Sequence, residues 1–186
     1  MRTSRIHAVG ASGSGTTTLG RALAIRLGCS RFDTDDYYWL PTDPPFQTVR
    51  ERSARQALLG GDLARDGVWV LSGSLCGWGD IFIPLFDLVV FLWLPPTIRL
   101  ARLLERERRR YGEEAIASGG RLHEPHTAFM TWAAGYDEGG LEMRSLRLHE
   151  EWLGELACPT LRLAGDDPTD AQVERVLDRL RERCSA

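Results

Sequence analysis

Eight residues near the start of the chain carry the clearest chemistry. Gly10-Ala11-Ser12-Gly13-Ser14-Gly15-Thr16-Thr17 matches the phosphate-loop pattern G-x-x-x-x-G-K-[ST] at every position but one, with Thr16 where the pattern has lysine. Glycines at this spacing let backbone N–H groups turn inward as a nest. A helix starting directly afterwards adds the positive end of its dipole, so the loop can hold di- or triphosphate oxygens without a side-chain cation. Gly10, Ser12, Gly13, Ser14, Gly15, Thr16, Thr17 and Thr18 are therefore the candidate phosphate-binding residues, and the Thr17 hydroxyl the candidate ligand for Mg²⁺. Other readings of these glycines fail on count: a G-x-S-x-G elbow centred on Ser12 needs glycine at Ser14, and G-x-G-x-x-G from Gly13 needs glycine at Thr18.

The loop needs a strand before it and a helix after it, and the sequence supplies both. Ile6–Val9, Val68–Leu71 and Leu88–Leu94 are short apolar runs without strict polar alternation, as expected of parallel strands covered on both faces. Weaker runs around Arg31–Phe32 and at Thr160–Leu163 are candidates for two more strands. Leu19, Ala22, Leu23 and Leu27 predict a helix stopped by Gly28; Val173, Val176, Leu177 and Leu180 predict another behind Asp167–Pro168. Alternating strands and helices predict one three-layer α/β domain over residues 1–186 with a parallel sheet. Two stretches break the alternation. Leu40–Phe46, with three prolines, leads into a polar helix over about Val49–Ala64, and Tyr111–Gly140 is glycine-rich and weakly periodic. Long insertions in a compact domain are typically lids or binding arms.

Further charged residues recur around this frame. Phe32-Asp33-Thr34-Asp35 follows the second strand, and Arg99, Arg102 and Arg106 share one face of the helix after Pro95-Pro96, beside a face of Ile98, Ala101 and Leu104 expected to be buried. His123 and His126 flank Glu124 and Pro125 at a spacing that could hold a metal, although the proline disfavours helical geometry there. Trp39, Tyr37, Tyr38, Trp132 and Tyr136 cluster in the two insertions, either as small aromatic cores or as stacking surfaces for a base or ring.

On these residues the chain resembles the small P-loop kinases: nucleoside-monophosphate kinases, shikimate kinase and gluconate kinase, with adenylate-kinase-like and "DNA topology modulation" proteins. The resemblance covers nearly the whole chain in order of elements. It implies a P-loop NTPase fold of nucleoside-monophosphate-kinase type, with a five-stranded parallel sheet, an acceptor arm over about 40–64 and a lid over about 111–140. It also implies ATP and Mg²⁺ as cofactors and transfer of the γ-phosphate to a small-molecule acceptor. Asp33-Thr34-Asp35 is similar to the Asp-Ser-Asp of shikimate kinases, which makes Asp33 the metal-side and Asp35 the acceptor-side residue. Arg102 and Arg106 match arginines that contact the ATP base and phosphates in these kinases. Arg144 and Arg147, read as lying on the helix after the lid, match arginines returned to the transferring phosphate. Gly120-Arg121-Leu122-His123 is similar to an adenylate kinase lid tip. Two departures stand out: the loop lysine is absent, and the third strand ends Leu71-Ser72-Gly73-Ser74 with no Walker-B carboxylate. Shikimate kinases also lack a strong acid there, which implies an acceptor-pocket role for Ser72–Gly79.

Composition narrows the alternatives. All 23 basic residues are arginine, so no lysine can act as Schiff base, general base or phosphate clamp. A formal net charge of −3 argues against a nucleic-acid partner. Cys29, Cys76, Cys158 and Cys184 form no C-x-x-C pair and read as small buried hydrophobes in a reducing compartment. The longest apolar run falls far short of the ~18 residues of a spanning helix, and no signal-peptide stretch is present, so a cytoplasmic address without membrane contact is expected. The missing lysine keeps a second reading open: a catalytically weak or inactive nucleotide-binding regulatory protein.

Overall fold

In a computed structural model, which describes residues 4–185, five strands form one all-parallel sheet in the order β2-β3-β1-β4-β5. These are β1 Arg5–Gly10, β2 Ser30–Asp33, β3 Trp69–Ser72, β4 Leu88–Trp93 and β5 Thr160–Ala164. The apolar runs alternate between the two faces of the sheet. Val9, Trp69, Leu71, Val89 and Phe91 join one core with Leu59, Leu63, Phe82 and Trp152, while Ile6, Val70, Leu88, Val90, Leu92 and Leu163 join the other with Leu19, Leu23, Val173 and Val176. Continuous apolar strands are thus explained by two covered faces, each large buried side chain adding roughly 1.5–3 kcal/mol. The expected α/β class and all five strands are present.

Helices α1 Thr16–Leu27 and α2 Thr34–Tyr38 follow β1 and β2, and α3 Arg52–Leu63 precedes β3. α1 ends on Gly28, whose left-handed backbone returns its N–H to the helix carbonyls. α3 starts a turn later than expected because the Glu51 carboxylate caps it at Ala54 N. Between α2 and α3, residues 40–48 form a closed loop: Trp39 and Val49 make an isolated antiparallel bridge, and Arg50 donates to the Tyr37 and Trp39 carbonyls.

After β4 come α4 Pro96–Tyr111, the short α5 Glu113–Ile116, α6 His123–Ala134 and α7 Leu146–Gly154, then β5 and α8 Thr169–Ser185. The buried face of α4 is Arg99, Leu103 and Glu107, whereas Ile98 and Ala101 are exposed, which corrects the expected orientation by about one residue. The correction arises because Arg99 finds partners in the core. α6 runs straight through Pro125; a proline in the first turn gives up an N–H that has no intrahelical acceptor. Cys29, Cys76 and Cys158 are free thiols, partly buried and packed against the two cores, while the Cys184 side chain lies outside the described residues, as do Met1 to Thr3. Among the described residues no helix is long and apolar enough to cross a membrane.

Candidate functional site

The glycine loop leaves the C-terminal end of β1, the central strand, beside β4, where Gly10 pairs with Leu92. A Cβ on Gly10 would stand 2.4 Å from the Leu92 carbonyl oxygen, so the loop can lie this close only without a side chain. Gly13 adopts φ +84° with the Arg99 carbonyl and the Leu103 side chain directly beneath it. No side chain caps α1 and its first turn holds no acid, so the first-turn N–H groups and the positive dipole end remain for an anion.

Gly10, Ser12, Gly13, Gly15, Thr16, Thr17 and Thr18 line a cleft of about 640 Å³. Ser14 does not, contrary to expectation. Its N–H donates to the Ala11 carbonyl and its hydroxyl is buried under the loop without a partner, so it shapes the nest from below.

Across the cleft the Thr17 hydroxyl donates to Asp33 Oδ2 at 3.0 Å. Asp33 also receives Arg31 Nη1 at 3.4 Å, and its other oxygen caps α2 at Asp35 N. Among the described residues no group of three or more His, Cys, Asp or Glu could hold a metal. One hydroxyl and one carboxylate suit Mg²⁺, which keeps several waters and takes its remaining ligands from phosphate oxygens. The residues therefore fit the ion that the loop implies. Asp35, one helical step on, has its carboxyl pushed up by partial enclosure in the cleft walls and by Asp33, against the opposing pull of Arg144 and Arg106.

The arginines separate into different roles. Arg102 and Arg106 both reach the cleft; Arg102 Nη1 also donates to the Gly165 carbonyl, fixing the loop after β5. Enclosure lowers the pKa of the Arg106 guanidinium, against the opposing influence of Glu107. Arg144 reaches the cleft from the loop ahead of α7, not from the helix itself. Arg147 is exposed on α7 and lines neither cleft, so the structure does not bring it to the others. Arg99, expected on the stripe with Arg102 and Arg106 and off the buried face, is fully buried and ion-paired with Asp137. Arg110 was missed by sequence reasoning; it lines the cleft, and its i+4 spacing from Arg106 was the available signal.

A second cleft of about 470 Å³ opens beside the first and shares Ser12, Asp35, Phe46, Arg106, Arg110 and Arg144 with it. One wall comes from the end of α2 and the loop after it, with Tyr38, Trp39 and Phe46, and another from α6 in the second insertion, with Phe129 and Trp132. Tyr37 and Tyr136 belong to the interior instead, the first donating to Asp62, the second hydrogen-bonded to His149. The Ser72–Gly79 segment does not line this cleft. Only Gly73 touches the phosphate cleft, while Leu75 and Trp78 are core and Ser74 bonds His149. His123 turns back to the Ile116 carbonyl and His126 lies 3.8 Å from Glu107, so the two do not converge on one point.

No protein-family model matches the chain. It is 50% identical over 175 residues to the "Uncharacterized protein YqaC" of Bacillus subtilis (strain 168), covering 94% of this chain and 96% of that one. Shikimate kinase from Acinetobacter baumannii in complex with shikimate has a similar structure at 18% identity, 97% and 94% coverage and TM-score 0.57. A deoxyadenosine kinase from M. mycoides matches at 13% identity, 96% and 99% coverage and TM-score 0.55. A gluconokinase from Sinorhizobium meliloti 1021 matches at 18% identity, 98% coverage of both chains and TM-score 0.52. Identities this low show the fold, and the fold is that of the small P-loop kinases.

Proposed function

The chain belongs to the family of the Bacillus subtilis protein YqaC, and from its kinase-like fold we propose that it is a cytoplasmic Mg-ATP-dependent phosphotransferase acting on a small-molecule acceptor. One observation carries this reading: the phosphate cleft and the aromatic-walled cleft meet at Asp35, Arg106 and Arg144. A donor in one and an acceptor in the other would have their reacting ends at that junction.

The loop N–H groups and Thr16 to Thr18 would hold the triphosphate, and Thr17 with Asp33 would hold Mg²⁺, which would supply positive charge against the phosphate oxygens. An acceptor oxygen forms a bond to the γ-phosphorus while the bond to the β–γ bridging oxygen breaks and ADP leaves. Where the acceptor group is a hydroxyl, its proton passes to the Asp35 carboxylate. The charge that a loop lysine would supply comes from Arg106 and Arg144, which fork onto phosphate oxygens. The insertions over 40–64 and 111–140 close over the bound pair and exclude water.

The test is thermal stabilisation by Mg-ATP together with ADP release in the presence of an acceptor panel. Wild type is expected to be stabilised and Gly15→Val, at a φ of +101°, to lose that stabilisation; an equal shift in both would place the nucleotide elsewhere. Thr16 at the lysine position favours one rival, nucleotide binding without turnover. Stabilisation with no transfer to any acceptor would select it.

A further inference from the structure

The second cleft has a composition that its place beside the phosphate loop does not require. Trp39, Phe46, Phe129 and Trp132 belong to neither core, yet they line one cavity. Trp39 and Phe46 meet edge-on at 6.1 Å on the first insertion, and Phe129 and Trp132 lie tilted by 30° at 6.0 Å on α6. Phe46 holds a φ of +65°, a backbone region that bulky residues avoid, and such positions gather at ligand clamps.

Three guanidiniums complete the walls, each laid over one of these rings. Arg110 sits 5.0 Å from the Phe46 centroid, Arg144 5.4 Å from Trp132 and Arg106 5.6 Å from Phe129. A guanidinium resting on a ring face is held in place while its N–H edge stays free for an oxyanion. Arg106 has a carboxylate nearby in Glu107, whereas Arg110 and Arg144 have none at ion-pair distance among the described residues.

Carboxylate acceptors for a polyol are few, the other side-chain acceptors being those of Ser12, Tyr38, Gln47, Tyr111 and His126. The carboxylates of the cleft are Asp35 and Glu107, and Glu107 is only 8% exposed, lying between Arg106 and His126. A sugar acid or cyclitol would bring several hydroxyls to walls made largely of ring faces and guanidinium donors.

We infer that the second cleft takes a flat aromatic or heteroaromatic ring carrying a phosphate or carboxylate group. The ring lies against the Trp39–Phe46 and Phe129–Trp132 pairs, and the anionic group meets Arg110 and Arg144. The inference rests on the phosphotransferase reading for its role, since that molecule would be the acceptor, but its binding can be measured alone.

The experiment is calorimetric titration of the whole protein without ATP. The probes are nucleoside monophosphates, the matching nucleosides, hydroxybenzoate, shikimate and gluconate. At least one aromatic anion should bind tenfold or more tightly than its neutral counterpart and than either non-aromatic acid; which of the two anionic classes binds identifies the source. Trp39→Leu and Phe129→Leu, neither in the phosphate cleft, should each weaken that binding about tenfold while the Mg-ATP thermal shift stays unchanged. Equal or tighter binding of shikimate or gluconate, equal binding of the neutral nucleosides, absence of any aromatic-anion binding, or indifference to both variants would overturn the inference. An intact Mg-ATP shift alongside any of those results leaves the phosphotransferase reading standing. A bound aromatic anion with no Mg-ATP shift defeats that reading and not this one.

Discussion

Arg99 Nη2 holds the Asp137 carboxylate at 2.5 Å from a fully buried position, while its Nη1 donates to the Ala133 carbonyl at 2.7 Å. Its backbone oxygen and Cγ lie directly under Gly13. One side chain thereby joins the start of α4, the end of α6 and the floor of the phosphate loop.

Arg99→Met keeps much of the volume and removes both hydrogen bonds, leaving Asp137 without its partner. The expected loss is about 3 kcal/mol, which for a chain of this size lowers Tm by roughly 6–12 °C. Thermal and urea unfolding measure it, and a change under about 1 kcal/mol would show the joint to be dispensable.

Arg106→Ala should lower kcat by at least about tenfold, the scale of one lost electrostatic contact to transferring charge. Mg-ATP stabilisation should remain, because the loop binds through backbone donors. Thr16→Lys restores the missing cation and should raise kcat in the Arg106→Ala background. Steady-state kinetics of the double variant decide this; no rescue would mean the two positions serve different groups.

The raised carboxyl of Asp35 has consequences of opposite sign for stability and activity. Because the folded state holds this proton more tightly than the unfolded state, the ionised form weighs against the fold at neutral pH; the penalty fades as pH falls through the raised folded value and is gone below the ordinary value of ~3.9. Asp35→Asn should therefore raise Tm at pH 7, converge with wild type in acid, and lose turnover and the acid limb of the kcat profile. A lower Tm for the variant at pH 7 would contradict the assignment.

His7 and His149 are buried and neutral, each with its imidazole pushed down to about 3, chiefly by desolvation. His149 joins the Tyr136 hydroxyl at 2.7 Å to Ser74 at 3.1 Å, a role suited to one donor and one acceptor nitrogen. Unfolding exposes both rings, which then take up protons below the ordinary imidazole value of 6.5. Stability is thus full above that value and lost as pH falls toward about 3, with about two extra protons bound on unfolding from these rings. His149→Asn should reduce that uptake by about one proton in calorimetry at several pH values. An unchanged uptake would mean the ring is already charged in the fold.

The phosphate loop and the five strands were legible because glycine spacing and unbroken apolar runs are local signals that the sheet then enforces. Thr17 was likewise readable from motif spacing and Asp33 from the resemblance of Asp33-Thr34-Asp35 to the Asp-Ser-Asp of shikimate kinases, and they meet at 3.0 Å. Arg99 was misread because a charged residue on a helical stripe normally faces water, and only the fold brings Asp137 and the Ala133 carbonyl to it. Arg147 failed for the converse reason: proximity in sequence to Arg144 does not survive the turn into α7, which carries it away from both clefts. The aromatic cleft was half visible, since Trp39 and Trp132 were singled out, but Phe46 and Phe129 have no sequence pattern that separates wall from core.

The strand order also fixes when the loop can exist. β1 is the first strand made, yet Ile6 pairs with Val70 on one side and Leu88 on the other. Both partners are distant in the chain, so two long closures must precede the surface that sets Gly10 and Gly13 in place. During synthesis the glycines emerge ahead of β3 and β4, so the Leu92 contact that fixes Gly10 is missing until β4 has followed. The nucleotide cradle is therefore a late product of assembly, and a chain interrupted anywhere before Leu88 carries the complete phosphate motif without the architecture that gives it meaning.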